Sequence, residues 1–197
     1  MPNKNRKVEQ LAFVDVLAVE LLELSNDETY RFKTSTAVDA EVNIVEGTSN
    51  QLIVNGVLIA QKKATDTITG CTITMRDNVF SPEVITLLQG GNFDRDPVSK
   101  KFTAYHAPLA GQEYTPRIFD LSMYTAQRDA SGAIASYAKI TFPNCQGKPV
   151  AIGFEEDTFF SPEYEIISMP YNGQAPYTIE IEDVLPDFEV THPDDIV

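Results

Sequence analysis

Period-two alternation constrains this chain more than any other feature. In "TDTITGCTITMRD" (65–77), Thr alternates with Ile, Cys and Met over a long stretch. Successive side chains of a strand point to opposite faces, so such a repeat sorts polar from apolar groups only when extended. Thr is β-branched and polar, which suits the wet face of a half-buried strand. The pattern recurs in "TYRFKT" (29–34), where Tyr30 and Phe32 alternate with polar partners and lead into "EVNIVEG". "NQLIVNGVLIAQ" (50–61) reads as two β-rich runs meeting at Asn55-Gly56, residues that tolerate the positive φ of a type I′ hairpin turn. One continuous bent strand is the competing reading. "RIFDLSMYTAQRD" (117–129), the turn "DASG" and the returning "AIASYAKITFPN" read as an antiparallel pair. "FTAYHAPLA" and "KPVAIGFEED" read as further strands, the second ending in an acidic turn, and "GGNFDRDPVSKK" reads as a loop. "PYTIEIEDVLP" carries Tyr177, Ile179 and Ile181 on one face, and Glu180 and Glu182 on the other.

The tetrapeptide FSPE occurs twice, at 80–83 and 160–163, and the residues that follow separate the copies. After the first, Val84, Leu87 and Leu88 fall at i, i+3 and i+4, and Gly90-Gly91 ends the run. Ser81 is placed as N-cap, Pro82 at the first helical position and Glu83 at the positive helix end. After the second, Tyr164, Ile166 and Ser168 share one parity and Met169-Pro170 ends the segment, which predicts an edge strand entered at Pro162. "KVEQLAFVDVLAVELLEL" (7–24) allows strand or helix. The expectation is a mainly β fold of two packed antiparallel sheets, sandwich- or barrel-like, with one short flanking α-helix. Three parts are expected: residues 1–27 as an N-terminal arm with a first strand or helix, 28–186 as the β domain, and 187–197 as an acidic C-terminal arm.

With 197 residues, 43% of them apolar, the chain can bury one full core. No apolar run approaches the ~20 residues of a membrane-spanning helix. The start, "MPNKNRKVEQ", has no hydrophobic region of a secretion signal, which points to production in a cytosol. Cys71 and Cys145 lack metal-site or CxxC spacing and are expected as reduced, half-buried thiols.

The formal net charge of −14 argues against a DNA-binding surface, which needs clustered Lys and Arg. The charge is also unevenly placed. Residues 149–197 hold 12 acids and no Lys or Arg, whereas the chain begins with Lys4, Arg6 and Lys7. Acidic surfaces also keep proteins dispersed, a plainer use of the same charge. No phosphate-cradling Gly loop, HExxH or GxSxG occurs, and His106 and His192 stand alone. Acidic clusters such as Glu155-Glu156-Asp157 read as solvated turns, because burying unpaired carboxylates is costly. Nothing here marks an enzyme or calls for a cofactor or metal.

Several segments, taken in order, resemble the major tail tube protein of long-tailed bacteriophages. They are "GCTITMRDNVFSPEVITLLQGG", "FDLSMYTAQRDASGAIASYAKITFPNCQG", "FEEDTFFSPEYEIISMP" and "YTIEIEDVLP", within roughly residues 28–186. The resemblance lies in spacing and turn chemistry and not in a catalytic motif. It implies six subunits per ring, inner sheets joined into one barrel, and rings stacked head to tail into a hollow tube that DNA traverses without specific binding. It also implies virion partners: the tape measure, the tail terminator and baseplate or tip proteins. Related tubes serve contractile tails, bacteriocin particles and secretion needles.

Under that resemblance the basic start and acidic finish suit a contact between rings, with Lys4, Arg6 and Lys7 meeting Asp187, Glu189, Asp194 and Asp195. A negative lumen would repel phosphates, and Thr65, Thr67, Thr69, Glu180 and Glu182 are candidates to line it. The alternative is a non-catalytic β-sandwich that binds glycan or protein on a virion or cell surface.

Overall fold

The structure is a computed structural model, and it describes residues 10–111, 113, 116–171 and 173–186. In chain order the described elements are β1 (Phe13–Glu23), β2 (Thr29–Phe32), β3 (Ser35–Val45), β4 (Asn50–Val54), β5 (Val57–Lys62), β6 (Thr67–Asp77), α1 (Pro82–Gln89), β7 (Asn92–Arg95), β8 (Phe102–His106), β9 (Phe119–Arg128), β10 (Ile134–Gly147), β11 (Glu163–Ser168) and β12 (Thr178–Glu182). The fold is mainly β with one short helix, and every strand pairing is antiparallel.

The two packed layers belong to one hydrogen-bonded sheet of order β2-β1-β9-β10-β11-β6-β3, with β12 also on β10. The strand that joins the layers is β10. Its first half lies between β9 and β12, and its last residues lie between β9 and β11. The register shifts between Phe142 and Cys145, where Asn144 takes φ 53° and donates its backbone N–H to Asp120 Oδ1 at 2.8 Å. A bulge of this kind bends a strand. The first layer is thus β2-β1-β9-β10-β12 and the second is β10-β11-β6-β3, with no closed barrel.

One core fills the space between the layers. Val19 and Leu21, Phe119 and Leu121, Ile73 and Met75, and Tyr164 and Ile166 each alternate along their own strand and meet there. Full burial of such a side chain is worth roughly 1.5–3 kcal/mol. The ambiguous 7–24 segment supplies β1, which lies between β2 and β9. Its alternate burial of Val19, Leu21 and Glu23 fits the β-branched content of the run.

Helix α1 covers one opening of the core with Val84, Leu87 and Leu88. Pro82 occupies the first turn, and Gly90 stops the helix at φ 75° with its N–H on the Thr86 carbonyl. Ser81 holds the N-cap position but makes no side-chain cap. Its backbone carbonyl accepts from Ile85 instead, at 3.1 Å. Where α1 meets β10, Gly147 is required for close approach, because a Cβ there would stand 2.6 Å from the Leu88 Cβ.

Three sequence expectations are corrected. The second FSPE copy does not open an edge strand: β11 is interior, paired with β10 on one side and β6 on the other. Pro162 permits this because it precedes the first paired residue and contributes only its carbonyl, to Asp77 N at 3.0 Å. "KPVAIGFEED" forms no strand. Its early backbone is held by Lys148 N–H on Glu165 O and Val150 N–H on Gln89 Oε1, so it crosses neighbours without a ladder. "GGNFDRDPVSKK" is more ordered than a loop: Asn92–Arg95 pair with β8, because Asp96 Oδ1 collects the N–H groups of Val98 and Ser99 and closes a tight turn.

The two FSPE copies meet in space, with the Phe80 and Phe160 ring centroids 6.3 Å apart. Asn55-Gly56 does form the hairpin turn of β4 and β5, at φ 49° and 79°. Cys71 and Cys145 are free and fully buried, not half-buried. Each pairs with Ser168 from opposite sides of β11, so they stand two strand spacings, roughly 9–10 Å, apart, beyond disulfide reach. Burial raises both thiols, Cys145 to about 12.

Candidate assembly surfaces

The outward face of the first layer is polar because its strands turn their other parity to the core. The register aligns Arg31, Glu20, Ser122, Thr141 and Thr178 in one row across β2, β1, β9, β10 and β12. A second row carries Tyr124, Lys139 and Glu180, and a third Ala126, Tyr137 and Glu182. Arg31 bonds Glu20 at 2.6 Å, and the Lys139 ammonium lies 5.9 Å from the Tyr124 ring centroid. Burial, with the negative field of Glu20, Glu182 and Glu180, pushes the Tyr124 hydroxyl up to about 12. Leu185 packs on Ala18 and Tyr124, so the chain after β12 crosses part of this face.

The candidate lumen residues fall into two groups. Glu180 and Glu182 lie on this outward face. Thr65, Thr67 and Thr69 are exposed at the root of the β4–β5 hairpin, in the second layer. There Thr67 pairs with Val45, and the Thr69 hydroxyl donates to the Asn43 carbonyl at 3.3 Å. The fold does not bring the two groups together.

Among the described residues the β4–β5 hairpin pairs only with itself. Leu52, Ile53, Val54, Val57, Leu58 and Ile59 are all 48–60% exposed, so both of its faces are apolar and open. Ile44, Val45 and Ile68 continue this surface along the ends of β3 and β6. Sequence reasoning found the turn but missed the exposure, since a run of Leu, Ile and Val reads equally well as a buried strand. The edge strand β12 is similar, with Ile179 and Ile181 about half exposed on its core-side parity.

Lys4, Arg6, Lys7, Asp187, Glu189, Asp194 and Asp195 lie outside the described residues, as does His192. Their points of attachment are described. Val14 pairs with Ala126, Ala126 with Tyr137, and Tyr137 with Glu182, so both arms join the fold at the same end of the first layer.

The opposite end, at Glu23, Phe119 and Cys145, leads into the 148–162 segment. Within that segment Phe154 and Phe159 are 77% and 94% exposed, beside the exposed Glu155, Glu156 and Asp157, and its last residues return to β6, where the Pro162 carbonyl accepts from Asp77 N–H. At the Phe119 end of β1 Glu23 is buried, and its carboxylate accepts from Ser25 Oγ at 2.6 Å and Arg117 Nη1 at 3.0 Å. Burial alone would raise its pKa, but these bonds outweigh it and hold the carboxyl below the usual range. His106 stands exposed on β8, 3.1 Å from Asp94 Oδ2.

Among the described residues no three His, Cys, Asp or Glu side chains gather as metal ligands, and no helix is long and apolar enough to cross a membrane. No protein-family model matches the chain. No curated protein matches it significantly.

Proposed function

We propose that this chain is a non-catalytic structural subunit of a hollow tube, the tail tube of a bacteriophage or a related particle. Six copies form each ring, and rings stack into a conduit that DNA crosses without specific binding. The observation that carries this reading is the β4–β5 hairpin. A two-stranded hairpin with both apolar faces in water is marginal by itself, and exposed apolar surface of this kind marks an interaction site. The open edges of β2 and β12 support the same reading, since unpaired edges invite strands from another copy. In the ring the polar face bearing Glu20, Asp120, Glu180 and Glu182 is the lumen wall, where carboxylates repel phosphates. The tape measure, the tail terminator and the baseplate or tip proteins are the other partners, and the virion tail is its location after synthesis in the host cytoplasm.

Negative-stain microscopy of the concentrated protein near physiological salt tests this. Hollow rings or tubes are the expected result, and a persistent monomer refutes the reading. One observation favours the alternative, a surface binding module: the exposed Phe154 and Phe159 offer an aromatic platform. A monomer that binds glycans and loses binding on Phe159→Ala would establish it.

A further inference from the structure

We propose that one buried water molecule is an integral part of this fold, bound between Ser35 Oγ, Asp77 Oδ2 and the Tyr164 hydroxyl. Three oxygens on three adjacent strands carry the inference. Asp77 and Tyr164 are 0% exposed and Ser35 is 7% exposed. Among the described residues none of the three atoms has a hydrogen-bond partner. Buried polar atoms are almost always bonded, and a carboxylate oxygen without a donor is especially costly.

The register brings the three side chains together. Ser35 of β3 stands directly opposite Asp77 of β6, so both point to the same face of the sheet. That is the core face, because Cys71, Ile73, Met75 and Asp77 alternate inward along β6. On the other side of β6, Tyr164 of β11 pairs with Met75 and is therefore diagonal to Asp77. Diagonal neighbours lie roughly 7–8 Å apart, within reach of an aromatic side chain. Burial, and after it the negative field of Asp77, raise the pKa of the Tyr164 hydroxyl, which agrees with that closeness.

The chemistry of the site selects water. A buried water makes about three hydrogen bonds to groups that are otherwise unsatisfied, and three oxygens converge here. The water donates to Asp77 Oδ2, and each hydroxyl can either donate to it or accept from it. A calcium ion takes about six to eight oxygens, and no group of three His, Cys, Asp or Glu is found among the described residues.

The site lies where the two FSPE copies meet the sheet. Asp77 ends β6 just before the first copy, and its Oδ1 accepts the Val79 N–H at 3.3 Å. Its backbone N–H donates to Pro162 of the second copy, and Tyr164 follows that copy directly. Asn78 N–H donates to the Thr34 carbonyl at 3.2 Å, next to Ser35. The water would add a side-chain link to this junction within a single subunit, so the inference does not rest on the tube reading.

A high-resolution crystal structure of the unmodified protein tests it. One solvent peak roughly 2.5–3.0 Å from all three oxygens is the expected result. No peak there, or a Tyr164 hydroxyl bonded directly to Asp77, overturns the inference. A peak ringed by six or more oxygens at about 2.3–2.6 Å is a cation and overturns it too. In solution, Ser35→Ala and Tyr164→Phe each remove one partner and should each lower Tm by roughly 2–6 °C. β6 separates β3 from β11, so the two substitutions act on strands that do not pair. Together they should cost clearly less than the sum, because both weaken one bridge, and simple additivity refutes a shared water.

Discussion

Ile53 and Leu58 face each other across the β4–β5 hairpin, and their replacement by Ser separates assembly from folding. They are 57% and 52% exposed, which leaves roughly 100 Å² of each open, or about 200 Å² together. At about 25 cal/mol per Å², burying that area in an interface contributes up to ~5 kcal/mol per copy. Ser retains little of it, so the double variant should lose about 4 kcal/mol of association, near a thousand-fold in the assembly constant. Folding should be affected far less. Among the described residues the hairpin pairs with no other strand, so the cost is mainly strand propensity, up to ~1 kcal/mol per residue. For a chain of this length that lowers Tm by roughly 2–8 °C. Sedimentation velocity and negative stain report assembly, and circular dichroism reports Tm. Tubes appearing at the same protein concentration as in the unmodified chain would place the hairpin outside the interface. A Tm loss above about 15 °C with assembly intact would mean that it packs within its own subunit.

Two further perturbations test the packing beneath these surfaces. Glu23→Gln should destabilise the fold at neutral pH. The depressed carboxyl contributes stability that is fully present above its unfolded pKa, near 4.3, and lost as pH falls through the lower folded value, so the Tm gap between the two proteins should close in acid. A gap that widens below about pH 4 would reverse the sign of that argument. Gly147→Val should cost roughly 1–3 kcal/mol or more, because its Cβ would press on Leu88 and push α1 off β10, and an unchanged melting curve would show that the approach is loose.

Much of the local structure was legible in the residue order. The Thr–Ile alternation of 65–77 marks β6, Asn55-Gly56 marks a hairpin turn, and Pro82 with Gly90 brackets α1, because each signal acts through neighbouring residues. The failures share a cause. "KPVAIGFEED" has strand composition but no free ladder to join, so it remains irregular. The second FSPE copy resembles an edge entry because a proline suggests an edge, yet Pro162 falls one residue before the ladder. The candidate site was less legible still. Parity puts Glu180 and Glu182 on one face of β12, as the register has them, but nothing local marks the apolar exposure of Leu52 to Ile59, since composition does not say which strands a core covers.

The order of residues by itself determined the alternation, the turns, the single helix and the lopsided charge. Each depends on interactions within a few positions or on a sum along the chain. Tertiary structure alone decided which face of each strand is covered, that β10 bends to serve both layers, and that the basic and acidic arms start at one end of the sheet. Those outcomes depend on pairings between residues more than 100 positions apart, such as Val14 with Ala126, and no local pattern encodes such a register.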